Sequence, residues 1–151
     1  MWIPQVALLV ALASSWYMAG LIAFVDRVHY PLFASVEPAS FPAYHAGHTR
    51  RTTGVVLVPM ALELIAAAVL VARRPPGVGR WLAWSGLAAA GLTWVVTGLA
   101  SVPAHRSLAS GFDPSAYRRL MSTDRLRVAG WFGHALICTA MAARSMRWPE
   151  P

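Results

Sequence analysis

Four stretches of the chain carry apolar residues with few interruptions, at roughly 3–25, 52–72, 81–101 and 126–144. Each is near the length, about 20 residues, at which a helix crosses a hydrocarbon core about 30 Å thick. Strands that cross a membrane alternate apolar with polar positions, and these runs do not, so helices are predicted and a barrel is excluded. The expected architecture is all-α, a four-helix transmembrane bundle forming one integral membrane domain over residues 1–151. A short amphipathic helix, Ala116 to Ser122, is expected between the third and fourth spans, with Asp124 opening the fourth. The first run lacks a basic leader and a clean cleavage site, so it reads as a retained span rather than a signal peptide.

The second run departs from the others in its polar residues. Starting near Tyr44, a helical step of about 100° per residue puts His45, His48, Thr52, Pro59 and Glu63 within about 60° of one another. One stripe is polar and the rest is apolar, which is how a lipid-exposed helix presents polar groups to the bundle interior. The fourth run has a stripe of its own, with Arg127, Trp131, His134 and Cys138 spaced by four, three and four.

Composition agrees with a membrane chain: 57% of the residues are hydrophobic and mean hydropathy is +0.50. The net charge is +7, carried by 13 arginines and no lysine. Those arginines sit at the ends of the spans, where they meet phosphate headgroups or carboxylates, so nucleic acid is not an expected partner. Face A of the bundle, with both termini, holds Arg73, Arg74, Arg80, Arg144 and Arg147. Face B, with the longer connectors, holds Arg27, Arg50, Arg51, Arg106, Arg118, Arg119, Arg125 and Arg127. A plain count favours face B in the cytoplasm, unless some of these arginines serve a site. The lone Cys138 excludes an internal disulfide.

Two candidate sites follow from depth. Glu63 and His134 each lie about ten residues in from face B, roughly 15 Å, so they can pair near the midplane, with Tyr17 and Trp94 at a similar level. A midplane carboxylate is costly unless protonated or paired, so Glu63 is either a catalytic or proton-carrying group or a device that fixes helix register. About 22 Å away, His45 and His48 lie at face B within reach of His29, His105 and the arginines 50, 51 and 127. Histidines at i and i+3 can share a metal or ligate a haem iron, whereas interfacial histidines also simply bond to headgroups and loop carbonyls.

The segments His29-Tyr-Pro-Leu-Phe33, Phe41-Pro-Ala-Tyr-His-Ala-Gly-His-Thr-Arg-Arg-Thr52, Met60-Ala-Leu-Glu-Leu64 and Val102-Pro-Ala-His-Arg-Ser-Leu108 resemble a group of uncharacterised bacterial four-span membrane proteins. The resemblance spans nearly the whole chain and gives weight to His29, His45, His48, Arg51, Glu63, Pro103 and His105. That group is distantly similar to the anthrone oxygenase-like membrane proteins, which oxidise flat aromatic substrates. The chain departs from the group near the fourth helix: Thr123-Asp-Arg-Leu-Arg127 replaces a Thr-Asn-Trp-x-Arg-Thr run, and His134 stands where an arginine is expected.

Together these readings anticipate a protein of the inner (plasma) membrane that acts as an oxidoreductase or oxygenase on a lipophilic small molecule. Glu63 and His48 are the expected catalytic groups. His29, Arg51, His105, Trp94 and Tyr17 are the expected ligand contacts, and His45, His48 and His105 the candidate metal ligands. The cofactor is left open among haem, copper, iron, zinc and none. The rival reading is a non-enzymatic binding, proton-coupled transport or accessory protein, and a homo-oligomer or a membrane-protein partner is open in either case.

Overall fold

In a computed structural model, which describes residues 2–146, the chain is built from five α-helices: α1 (Ile3–Phe24), α2 (Phe41–Ala72), α3 (Arg80–Val96), α4 (Val102–Leu108) and α5 (Pro114–Ser145). Counting continuations, four helical rods are long and apolar enough to cross a membrane, as an integral, multi-pass membrane protein requires. Arg147, counted above for face A, lies outside the described residues.

The four rods form a ring. α1 packs on α2 and α5, and α3 packs on α2 and α5, so α2 and α5 face each other across a diagonal. Burial is inverted relative to a water-soluble bundle. Leu9, Leu57, Ile65, Leu92, Leu99 and Leu136 are all at least half exposed, while Glu63, Asp124, Arg127 and His134 are buried. Lipid in place of water on the outside explains both halves of that pattern.

Small residues let the rods approach at the face A end, where Ala7, Ala11 and Ala66 pack with Leu8, Leu70, Cys138 and Met141. Toward face B the core is wider and aromatic, with Tyr30, Phe33, Phe41, Leu108, Leu120 and Trp131. That wider end holds the imidazoles.

Three boundaries differ from the sequence reading. The amphipathic segment at Ala116–Ser122 is not a separate helix but the first turns of α5. Asp113 caps that helix by accepting from the Ala116 N–H at 2.6 Å, Pro114 fills its first position, and no glycine or proline follows before Gly130. Asp124, expected as a cap, is therefore mid-helix and fully buried against Arg127. The third rod also passes through Pro103: it widens into a π turn at Thr97–Ser101 and resumes as α4. Proline is tolerated there because the first turn of a resumed helix has N–H groups without partners anyway.

A second π turn, Val25–His29, ends α1, and Pro31 then opens a 3-10 turn, Pro31–Ser35, rather than simply ending the helix. Both π turns lie at the face B end, beside the histidines.

Candidate functional site

Three rods deliver four imidazoles to one place. His29 comes from the π turn after α1, His45 and His48 from the first two turns of α2, and His105 from α4. His29 Nε2 lies 2.7 Å from His48 Nδ1, and the Thr52 hydroxyl stands 3.2 Å from that same Nδ1. His45 Nε2 lies 3.1 Å from His105 Nδ1, and His105 Nε2 lies 2.9 Å from the Tyr30 hydroxyl. His48 and His105 stack with centroids 5.4 Å apart, which joins the two sets into one cluster. Phe33 sets its edge against His48, and Phe41 stacks on His45, so the rings are held by packing as well as by hydrogen bonds.

The hydrogen-bonded line of Tyr30, His105 and His45 can pass a proton along its length. When Tyr30 donates to His105 Nε2, His105 carries its proton on Nδ1 and donates to His45. When His45 donates from Nε2, both hydrogen bonds reverse and His105 donates to Tyr30. Passing between these states moves a proton from one end of the line to the other without moving a heavy atom.

The cluster forms one wall of a cavity of about 630 Å³, a volume in the range of small-molecule sites. His45, His48, His105, Tyr30 and Arg127 line it, and Leu21, Ile22, Val25, Val56 and Val102 supply apolar wall. Arg50 and Arg106 also line it, and no Asp or Glu does.

The deeper carboxylate is elsewhere. Glu63 reaches across the diagonal to α5, where Oε2 accepts from the Trp131 indole N–H at 2.9 Å and Oε1 bonds to His134 Nδ1. His134 Nε2 in turn stands 3.3 Å from Cys138 Sγ. Glu63, Trp131, His134 and Cys138 are all at most 1% exposed, and none lines the cavity. Arg127 connects the two sites: it borders the cavity, donates to Asp124 Oδ1 at 2.9 Å, and sits 5.2 Å over the Trp131 ring.

The remaining expected contacts fall outside the cavity. Tyr17 is half exposed on the outer face of α1, Arg51 is exposed, and Trp94 donates its indole N–H to the Met60 carbonyl at 3.3 Å. His29 supports the cavity only through His48, because it is not itself a lining residue. Tyr30 and Ser101 were not anticipated. Tyr30 sits beside His29 in the quoted His29-Tyr-Pro segment, but nothing in spacing alone shows that its hydroxyl turns inward.

The donor set does not fit a bound metal. Both ring nitrogens of His105 are engaged, the facing nitrogens of each pair point at one another, and among the described residues no group of three or more His, Cys, Asp or Glu is arranged to hold an ion. The chemistry legible in this arrangement is that of proton transfer beside an apolar chamber. No protein-family model, curated protein or solved structure matches the chain.

Proposed function

We propose that this chain is an enzyme of the inner (plasma) membrane that binds a lipophilic small molecule in the face B cavity and oxidises it after removing a proton. One observation carries the reading: a chamber with apolar lining from Leu21, Ile22, Val25, Val56 and Val102 is bordered by a hydrogen-bonded Tyr30, His105 and His45 line. His45 or His105 takes the proton as general base, and Tyr30 at the far end of the line accepts or returns it. Proton removal leaves an electron-rich carbanion, which molecular oxygen can oxidise; the base then returns its proton to the peroxide formed. The oxygenase direction of this chemistry rests on the resemblance to the anthrone oxygenase-like proteins.

Glu63 has no part in that step. Its two oxygens are taken by Trp131 and His134, and it does not border the cavity. Its role in this reading is to hold α2 against α5.

The test begins with purification in gentle detergent and identification of co-purifying lipophiles by mass spectrometry. Conversion of the bound molecule is then followed with oxygen uptake. The wild type is expected to convert it, and His105→Ala to bind it with a rate at least about 100-fold lower, the usual scale of a lost general base. Binding without conversion in the wild type would replace this reading with the non-enzymatic one.

A further inference from the structure

Hydroxyl groups in membrane helices ordinarily bond back to a carbonyl one turn earlier, and this chain follows the rule at Ser15, Thr93, Ser107 and Thr139. Thr97 and Ser101 break it. Their hydroxyl oxygens are buried and have no hydrogen-bond partner among the described residues, and both open the turn or close it in the π turn of the third rod. Widening a helix by one residue shifts its carbonyls out of register with such side chains, and π turns of this kind recur at functional sites. A third buried donor shares the condition: Arg127 Nε has no partner, although its NH1 holds Asp124, whereas the two other such atoms among the described residues, Asp26 Oδ1 and Asp124 Oδ2, are acceptors that do not border the cavity.

All three residues border the same cavity, and Ser101 and Arg127 are more than nine-tenths buried. An unmet buried donor costs about 1–3 kcal/mol, and a charged one more, so three in one wall constitute a demand for an acceptor. Arg127 Nε–H can only donate, and the two hydroxyls can donate with it. The charge of the lining decides what kind of acceptor. No carboxylate lines the cavity, and while Arg127 is already paired with Asp124 behind it, Arg50 and Arg106 form no ion pair among the described residues and leave the lining positive.

We propose that the cavity takes an amphiphile with an oxyanion head, a carboxylate in the simplest case, anchored by Arg127 Nε–H, Ser101 and Thr97, with its apolar body against Leu21, Ile22, Val25 and Val56. This names the ligand class for the cavity and so rests on the reading of that cavity as a ligand site. Thr97 and Ser101 are positioning residues: they fix the head, and Ser101 stands four residues before His105 on the same rod. The same headgroup chemistry is available from a free lipophilic acid or from an anionic membrane lipid.

The experiment uses the full chain in nanodiscs of zwitterionic phosphatidylcholine, titrated with a long-chain saturated carboxylate, its matched alcohol and its methyl ester. The carboxylate is expected to bind at least about tenfold more tightly than the alcohol, and Thr97→Val with Ser101→Ala to bring the two affinities within about threefold of each other. Circular dichroism of the double variant checks that the fold is kept. Loss of carboxylate binding on adding anionic phospholipid, by displacement that itself depends on Thr97 and Ser101, would identify the membrane lipid as the source of the head and support the same anchor. Equal binding of all three probes would overturn the oxyanion anchor while leaving the lipophile site standing. A carboxylate preference that survives the double variant would overturn the assignment to Thr97 and Ser101. Binding of none of the probes would overturn the cavity reading along with it.

Discussion

Glu63 gives both carboxylate oxygens to α5, and the consequence of losing them can be stated in energy. Removing one partner of a buried pair costs about 3–5 kcal/mol, because the other is left without compensation. Glu63→Ala is therefore expected to lower the unfolding free energy by about that much, measured in reversible denaturation of the detergent-solubilised protein. His134→Ala made in the same background should then cost less than it does alone, with a coupling of about 1–3 kcal/mol. Ligand affinity at the cavity should change little in either variant. Tyr30→Phe tests the other end of the molecule: it leaves the ring packed and removes only the hydroxyl on His105, so turnover should fall while binding and fold persist, as read by kcat against KM. The pairing of Glu63 with His134 was legible in the sequence because helical periodicity and depth together fix which side chains meet. The four histidines were legible as one face B group for the same reason. Their internal pairing was not, since which nitrogen meets which depends on ring rotation that spacing does not encode, and Tyr17 and Arg51 shared a depth with the site without sharing its direction.

At the scale of elements, the two π turns are the feature no periodicity announces. Each is one residue too many inside a helix, and the apolar pattern on either side reads through it. Deleting Leu99, which is 74% exposed, should let Thr97–Ser101 close into a regular α-helix with Pro103 and His105 kept in register. Stability is expected to hold or rise, and carboxylate binding to fall, because Thr97 and Ser101 would then bond back to carbonyls one turn earlier; thermal denaturation and titration of the same sample check both. The start of α5 offers a pH test. The Asp113 carboxyl is held below the usual carboxylate range, first by the Ser115 hydroxyl and then by the Ala116 N–H. A depressed folded value means that the cap stabilises fully above the unfolded carboxyl's titration and is lost as pH falls through the folded one. Asp113→Ala should lower the melting temperature at neutral pH and match the wild type at strongly acid pH. The Arg turn offers a steric one. Gly77 has φ of +80°, and a Cβ there would lie 2.5 Å from the Arg144 carbonyl oxygen, so Gly77→Ala should cost about 1–3 kcal/mol by loosening the α5 end from the turn.

For the whole molecule, four crossings put the Arg turn and the histidine cluster on opposite sides of the membrane, and charge decides which side is which. The bias that orients a multi-pass protein comes from basic residues flanking its spans, and an arginine buried in a site does not contribute to it. Arg127 is such a residue, buried at 6% exposure and paired with Asp124, so it leaves the face B count. Arg50 and Arg106 line the cavity as well, but they are exposed and so stay in the count of basic residues flanking the spans. Face B then keeps seven arginines, Arg27, Arg50, Arg51, Arg106, Arg118, Arg119 and Arg125, against five on face A. The histidine cluster is therefore expected to open toward the cytoplasm. Labelling with a membrane-impermeant maleimide measures this directly, because the only native thiol, Cys138, is buried and silent. A cysteine at Gly79, which has open space around its Cα, is expected to react in intact cells. A cysteine at the exposed Ser110, on the histidine side, is expected to react only after the membrane is permeabilised. The reverse pattern would show that the face B arginines do not set the orientation, and would place the mouth of the cavity outside the cell.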